Sequence, residues 1–244
     1  MCEKGVLITG AAGVMGRAVA TRFDRAGYRL ILLDRDKKGL EELQNELSCK
    51  SIILCVDVSD PEEVKKAVEE AIENFGSIDI LVNNAGIVSN NKSLTTTSLE
   101  WQTLLNINLN GFFFMAQAVI PGMKKKGWGR IINVSSLASK NGGLTAGIAY
   151  STSKGAINSL TFSLAGELAS TGVTVNGIAP AYVETPMIME KLSEEERQRV
   201  LEKIPVHRFC KPEEFAHVVS FLADDLSGFI TGEIIDLNGG LYFD

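Results

Sequence analysis

Tyr150 and Lys154 stand four positions apart in a helix-compatible run from Ile148 to Ala169. On a helix this spacing puts both side chains on one face, so the phenol and the ammonium would share one space. A phenol is a poor acid or base near neutrality, because its reference pKa is about 10. An ammonium one turn away favours the phenolate and would draw that value toward the working range of an enzyme. Taken alone, the pair also suits the surface of an amphipathic helix. The rest of the chain has to decide between the two.

Strand-like and helix-like segments alternate along the sequence. Strands are expected at Gly5–Thr9, Arg29–Leu33, Ser51–Val56, Ile78–Val82, Gly129–Val134, Val173–Ala179 and Glu233–Leu237. Helices are expected over Val14–Ala26, Lys37–Leu47, the stretch opened by Asp60 and Pro61 and ending at Phe75, Leu99–Lys126, Ile148–Ala169, Ser193–Glu202 and Pro212–Ala223. Near-continuously apolar strands, each followed by a helix, predict a parallel sheet covered on both faces. Right-handed crossovers make it a doubly wound α/β fold of the Rossmann type, with seven mostly parallel strands. No linker, low-complexity tract or internal repeat interrupts the chain, so residues 1–244 read as one domain.

The segment Gly10–Ala11–Ala12–Gly13–Val14–Met15–Gly16 joins the first strand to the first helix. Glycines there permit a tight turn and close approach to a pyrophosphate resting on the helix N-terminus. A plain structural turn has the same composition. Asp34, ending the second strand, sits where an acid accepts hydrogen bonds from a ribose diol, and its charge repels a 2′-phosphate. NAD is therefore expected, while the adjacent Arg35, able to hold such a phosphate, keeps NADP open. Asp57 and Val58 fall where an adenine would rest.

The 244 residues are 45 % hydrophobic and 22 % charged with net charge −6, as in a soluble globular protein. That balance argues against nucleic acid or an anionic membrane as partner, since both require a basic face. The start is too short and polar for a signal peptide, and no apolar stretch is expected to reach the ~20 residues that span a bilayer. Cys2, Cys49, Cys55 and Cys210 lack C-x-x-C spacing and read as reduced thiols of a cytoplasmic protein. His207 and His217 have no second ligand at zinc spacing, and no G-x-S-x-G nucleophile is present.

Taken together, these residues resemble the short-chain dehydrogenase/reductase family over nearly the whole chain, Lys4 to Tyr242. The resemblance is carried by the glycine turn, Asn83–Asn84–Ala85–Gly86, Asn108–Leu109–Asn110–Gly111 and Ile132–Asn133–Val134–Ser135–Ser136. It continues through Tyr150-x-x-x-Lys154, Asn176–Gly177–Ile178–Ala179–Pro180, Ile230–Thr231–Gly232 and Asn238–Gly239–Gly240. The sequence is similar to the 3-oxoacyl-(acyl-carrier-protein) reductase branch and to its sugar- and alcohol-oxidising relatives.

The resemblance implies an NAD(P)-dependent enzyme interconverting a secondary alcohol and a ketone, with Tyr150 as general acid or base. Lys154 would lower its pKa and bind the nicotinamide ribose, Ser136 would hold the substrate oxygen, and Asn108 would hold a relay water. Ser135, adjacent on a strand end and so facing away, would be structural. Gly10, Ala12, Gly13, Met15, Gly16, Asp34, Arg35, Asp57, Val58, Asn84, Ala85, Gly86, Tyr150, Lys154, Pro180, Val183 and Thr185 would bind the dinucleotide. An NAD-dependent sugar or polyol dehydrogenase is the alternative, and a non-catalytic NAD-binding sensor a further one.

The chain departs from its branch in three ways. Val14 replaces a glycine, Pro180–Ala181 replaces Pro-Gly, and Asp34 does not suit a branch that usually looks NADP-dependent. The small-molecule pocket is expected between Ser89–Ser98, Gly142–Ile148 and Met187–Val206, with Met187, Ile188, Met189 and Leu192 as an apolar wall. Lys92 and Lys140 are candidate anchors, though the reading favours solvated side chains. The family usually forms tetramers through its two long helices and C-terminal strand, so a homo-oligomer, tetramer or dimer, is expected. Phe112–Phe113–Phe114 and Leu241–Tyr242–Phe243 suit either those interfaces or the core.

Overall fold

The computed structural model describes residues 4–143, 145–185 and 193–243. The elements run β1 (Gly5–Thr9), α1 (Val14–Arg25), β2 (Arg29–Asp34), α2 (Lys37–Glu46), β3 (Ser51–Cys55), α3 (Pro61–Phe75) and β4 (Ile80–Asn83). They continue with α4 (Ser98–Leu105), a π-helical turn (Asn106–Asn110), α5 (Gly111–Lys126), β5 (Gly129–Val134), a short α6 (Ala138–Asn141) and α7 (Ile148–Leu168). The chain closes with β6 (Val173–Pro180), α8 (Glu194–Lys203), α9 (Pro212–Leu222) and β7 (Ile234–Leu237).

The strands form one sheet in the order β3-β2-β1-β4-β5-β6-β7, and every pairing is parallel. Side-chain alternation along each strand divides the core between two faces. Leu7, Ile31, Leu33, Leu81 and Ile131 pack with Val68, Met115 and Leu164 of α3, α5 and α7 on one side. Val6, Ile8, Leu30 and Leu32 pack with Val19, Leu40 and Phe215 of α1, α2 and α9 on the other. The strand order reverses between β1 and β4, so the loops after these two strands diverge and leave a crevice at their carboxyl ends.

Several boundaries differ from the sequence expectation, for local reasons. The fourth strand begins at Ile80, because buried Asp79 instead accepts the Gly5 N–H at 2.8 Å and pairs with Lys126. It extends through Asn83, whose Nδ2 donates to Asn133 Oδ1 at 3.0 Å. The long helix expected over Leu99–Lys126 contains the π turn, in which the Gly111 N–H reaches back to the Asn106 carbonyl. Taken as one helix, Ser98–Lys126 spans 29 residues and is long and apolar enough to cross a membrane, contrary to expectation. Here it packs into the domain, burying Leu104, Asn108, Phe112 and Met115.

Candidate active site

The turn after β1 is shaped by two glycines with different duties. Gly10 has a φ of 65°, and a Cβ on it would lie 2.8 Å from Ala85 Cα, so it permits both the turn and the approach of the loop after β4. Gly16 is required for packing: a Cβ there would sit 2.2 Å from the Gly10 carbonyl oxygen. Gly13 is the N-cap of α1 and supplies no side-chain cap, which leaves the first-turn N–H groups free to meet an anion. Val14, where the branch has glycine, simply opens α1 as its first residue.

A cavity of about 400 Å³ lies over this turn. It is lined by Gly10, Gly13 and Met15 after β1, by Asp34 and Arg35 after β2, by Asp57 and Val58 after β3 and by Asn84, Ala85 and Gly86 after β4. Thr185 lines it as well. Six expected residues do not line it: Ala12, Gly16, Tyr150, Lys154, Pro180 and Val183. Ala12 spends its N–H on Asp34 Oδ2 at 3.1 Å, and Gly16 is buried under the turn. Pro180 and Val183 line a second cavity instead. Val14, Leu33, Val56, Ile87 and Ile107 are wall residues the sequence reading missed. Their adjacency to the named strand ends was the available signal.

Asp34 is fixed by two backbone donors, Ala12 N–H and, at 3.0 Å, Asp36 N–H, so its carboxylate is anchored at the cavity wall. Arg35 beside it is exposed. The Arg35 charge reaches Asp57, whose carboxyl is held below its usual range first by the Ser59 hydroxyl and amide and only lastly by that charge. A negative group, not a positive one, is therefore the immobilised charge at this end.

The second cavity, about 420 Å³, shares Met15, Asn84, Gly86 and Thr185 with the first. Ser136, Tyr150 and Lys154 meet in its wall. Ser136, just past β5, accepts the Ala138 N–H at 3.1 Å, and its hydroxyl is near enough to the Tyr150 phenol to favour the phenolate. Ser135 points the other way, donating to Asn158 Oδ1 at 2.6 Å, as the strand alternation predicts. Lys154 is 3 % exposed and donates from Nζ to the Val134 carbonyl at 2.7 Å. Burial pushes its pKa down to about 7.

Two expectations about these groups need correction. Burial raises the Tyr150 pKa, opposed by the Ser136 contact, whereas the sequence reading had Lys154 lowering it. Lys154 Nζ lies 5.8 Å from the Tyr150 ring centroid and is bonded elsewhere, so its charge does not reach the phenol as a direct partner. Asn108 is fully buried, and its side chain is already committed. Oδ1 accepts the Ile87 N–H at 2.9 Å, while Nδ2 donates to the Ile87 carbonyl at 2.9 Å and to Ser153 Oγ at 3.2 Å. A water held by Asn108 would have to use its backbone, in the π turn whose carbonyl ladder is displaced.

Around the second cavity, Val88 and Asn90 form one wall and Gly143, Thr145 and Ala146 another, close to the expected loops. Tyr182 and Leu241 are additions. Leu144, Met187, Ile188, Met189 and Leu192 lie outside the described residues, and the described part of the third expected segment, residues 193–206, lines neither cavity. Neither lysine serves as an anchor or is simply solvated. Lys92 donates to the Ala146 carbonyl at 2.7 Å, and Lys140 pairs with Asp236 at 2.7 Å. Pro180 and Ala181 continue regular pairing, Pro180 accepting from Leu137 and Ala181 donating to Leu237, so the missing glycine leaves the backbone undisturbed.

An uncapped helix N-terminus, a glycine cradle that a Cβ would fill, and an anchored acid fit a dinucleotide. The adjoining cavity places a phenol, a hydroxyl and a buried amine where its reactive end would open. The fold and site define a nicotinamide-dependent oxidoreductase. A family model described as enoyl-(acyl carrier protein) reductase matches residues 10–242, and the chain belongs to the short-chain dehydrogenase/reductase family. It is 40 % identical to the 3-oxoacyl-[acyl-carrier-protein] reductase FabG of Thermotoga maritima over 98 % of this chain and 97 % of that protein. To FabG of Escherichia coli it is 36 % identical, with the same two coverages. Among solved structures it superposes on the 3-oxoacyl-[acyl-carrier protein] reductase of Brucella melitensis with a TM-score of 0.92 at 32 % identity, covering 99 % of this chain and 92 % of that one. An NAD+-bound xylitol dehydrogenase superposes with a TM-score of 0.91 at 32 % identity, covering 97 % and 98 %. The chain is a short-chain NAD(P)-dependent oxidoreductase acting on CH–OH and keto groups.

Proposed function

We propose that this enzyme reduces the keto group of a 3-oxoacyl thioester, with Tyr150 as the proton donor and NADH as the preferred reductant. The single observation that carries the reading is the convergence of Ser136, Tyr150 and Lys154 on the second cavity. The relatives named as 3-oxoacyl reductases supply the substrate class.

The dinucleotide supplies the hydride; the chain's own groups bind, orient and move the proton. Gly10, Gly13 and Met15, with the α1 N-terminus, hold the phosphates; Asp57 and Val58 hold the adenine end. Asn84, Ala85 and Gly86 form the opposite wall. Pro180, Val183 and Thr185 border the nicotinamide end. Ala12 and Gly16 act indirectly, by fixing Asp34 and the turn. Asp34 receives the ribose diol and disfavours a 2′-phosphate, because its charge is held in place while Arg35 is free to swing away.

At the reacting end, a phenol with a raised pKa is protonated at neutral pH and ready to donate. Ser136 Oγ accepts from Ala138, which leaves its own proton for the ketone oxygen, and it stabilises charge developing there. Lys154, with its pKa near neutrality, holds or releases a proton one helical turn from Tyr150, and its ammonium reaches the nicotinamide ribose. Asn108 supports this arrangement through Ser153 of the same helix.

We also place the enzyme in the cytoplasm as a homo-oligomer. Cys49, Cys55 and Cys210 are free thiols, as a reducing compartment allows. Phe113 of α5 and Phe162 of α7 are 41 % and 52 % exposed, which suits helix faces covered by another copy. Phe112 belongs to the core, and Leu241 lines the second cavity.

The test is a spectrophotometric panel at about 340 nm with NADH or NADPH, offering acetoacetyl-N-acetylcysteamine, simple ketones, keto sugars and, in reverse, polyols. Highest kcat/KM with the thioester is expected. Turnover confined to sugars or polyols would replace that substrate class, and no turnover anywhere would favour a binding role.

A further inference from the structure

The helix that carries Tyr150 begins without a side-chain cap, since its N-cap is Gly147. Its leading backbone donors are taken by another segment. Gly147 N–H donates to the Ser89 carbonyl at 2.7 Å, and Ile148 N–H to the Asn91 carbonyl at 3.1 Å. The two segments press together so closely that a Cβ on Gly147 would lie 2.4 Å from the Asn91 oxygen. The Lys92 bond to Ala146 adds a third tie.

This loop is itself clasped by one carboxylate. Glu100 accepts the Ser89 hydroxyl on Oε1 and the Asn91 side-chain amide on Oε2, the latter at 2.8 Å. The Asn91 N–H donates to Ser89 Oγ at 3.1 Å, closing the loop on itself. Glu100 stands three residues after Thr97, the N-cap of α4, in the T-x-x-E spacing of a capping box. Thr97 fulfils its half, accepting the Glu100 N–H at 3.1 Å. The glutamate carboxylate reaches out to the loop while still facing the Thr97 N–H. The Ser89 and Asn91 contacts first, and the Thr97 N–H after them, hold its carboxyl below the usual range.

The two segments joined in this way both line the second cavity, the first through Val88 and Asn90 and the second through Thr145 and Ala146. Tyr150 lies in the turn that they anchor. We propose that Glu100 is a positioning residue: through Ser89 and Asn91 it fixes the first turn of α7, and with it the Tyr150 hydroxyl and the width of the substrate cavity. The proposal rests on Tyr150 being the proton donor. The dinucleotide cavity is lined by Ile87 but by none of residues 88–92, so the clasp leaves the adenine and phosphate contacts of the dinucleotide untouched.

The experiment compares Glu100→Ala, Glu100→Gln, Asn91→Ala and Tyr150→Phe in the full chain, using acetoacetyl-N-acetylcysteamine or the best substrate of the panel. Glu100→Ala should lower kcat about 10-fold or more and raise KM, with the NADH dissociation constant unchanged. Glu100→Gln keeps an acceptor and a donor in reach and should recover most of the loss. Hydrogen exchange in peptides covering 88–92 and 147–150 should quicken about 10-fold in Glu100→Ala and in Asn91→Ala. If Glu100→Ala does not fold, Asn91→Ala, which breaks the same bond from the loop side, decides by the same kinetic split. Unchanged kcat and KM in the folded variants, with Tyr150→Phe inactive, would overturn the clasp and leave the proton donor intact. An active Tyr150→Phe would instead overturn the reading on which it rests.

Discussion

Lys154 donates from Nζ to the backbone oxygen of Val134 at 2.7 Å, tying the catalytic helix to the end of strand β5. An amine so placed is dry, and its charge is costly. Because the folded pKa, about 7, lies below the ordinary 10.5, the unfolded chain binds more protons between these values. Stability of the dinucleotide-free protein should therefore rise with pH across this window, by about 1 kcal/mol from pH 7 to 8, below the range in which most thiols titrate. Urea unfolding at several pH values checks it, and Lys154→Met should flatten the slope.

Replacing the phenol isolates proton transfer from binding. Tyr150→Phe should lower kcat by about 10² to 10⁴ while NADH still binds. Fluorescence titration measures the binding, and stopped-flow absorbance the turnover.

The two neighbouring serines should separate cleanly. Ser136→Ala removes the hydroxyl that meets Tyr150 and should lower kcat/KM by about 10² or more. Ser135→Ala breaks a bond to Asn158 on the opposite side and should act on stability, by about 1 kcal/mol, with little effect on turnover. Opposite outcomes in a thermal melt and a rate assay would reverse the assignment.

Cofactor choice turns on which charge is held still. The ratio of kcat/KM for NADH over NADPH should exceed unity in the wild type and fall by about 10-fold or more in Asp34→Ala. A wild-type preference for NADPH would mean that Arg35 closes over the phosphate despite its exposure.

The glycine turn offers a steric contrast. Gly16→Ala drives a methyl into the Gly10 carbonyl and should cost about 1–3 kcal/mol or more. At Gly13 the nearest atom to a Cβ is 3.5 Å away, so Gly13→Ala should be tolerated in the free protein. Urea midpoints compare the two.

Much of this architecture was readable before any coordinates. Alternating apolar strands and capped helices, such as Asp60–Pro61 at α3, are local signals, and the sheet follows from them. Tyr150, Ser136 and Asp34 were readable because fixed spacing ties each to a strand or helix end. The Lys154–Val134 bond, the loop contacts of Glu100 and the sealed Asn108 were not. Each depends on segments distant in sequence meeting across the fold, where burial and competing acceptors decide which partner a polar atom takes. Thr97-x-x-Glu100 illustrates the limit, since the motif announces a helix start and says nothing of the Ser89 and Asn91 contacts its glutamate also makes.

The π turn between α4 and α5 accommodates one extra residue within a continuous helix. Because each residue turns an α-helix by about 100°, the same extra residue placed anywhere else between Thr97 and Lys126 would rotate α4 against α5 by about that angle. Trp101 and Leu104 would lose their present directions, or Phe112 and Met115 would leave the sheet. The number of residues between Thr97 and Gly111 is thus as constrained as their identities. Natural or engineered length variation in this protein belongs elsewhere, in the loops bordering the substrate cavity.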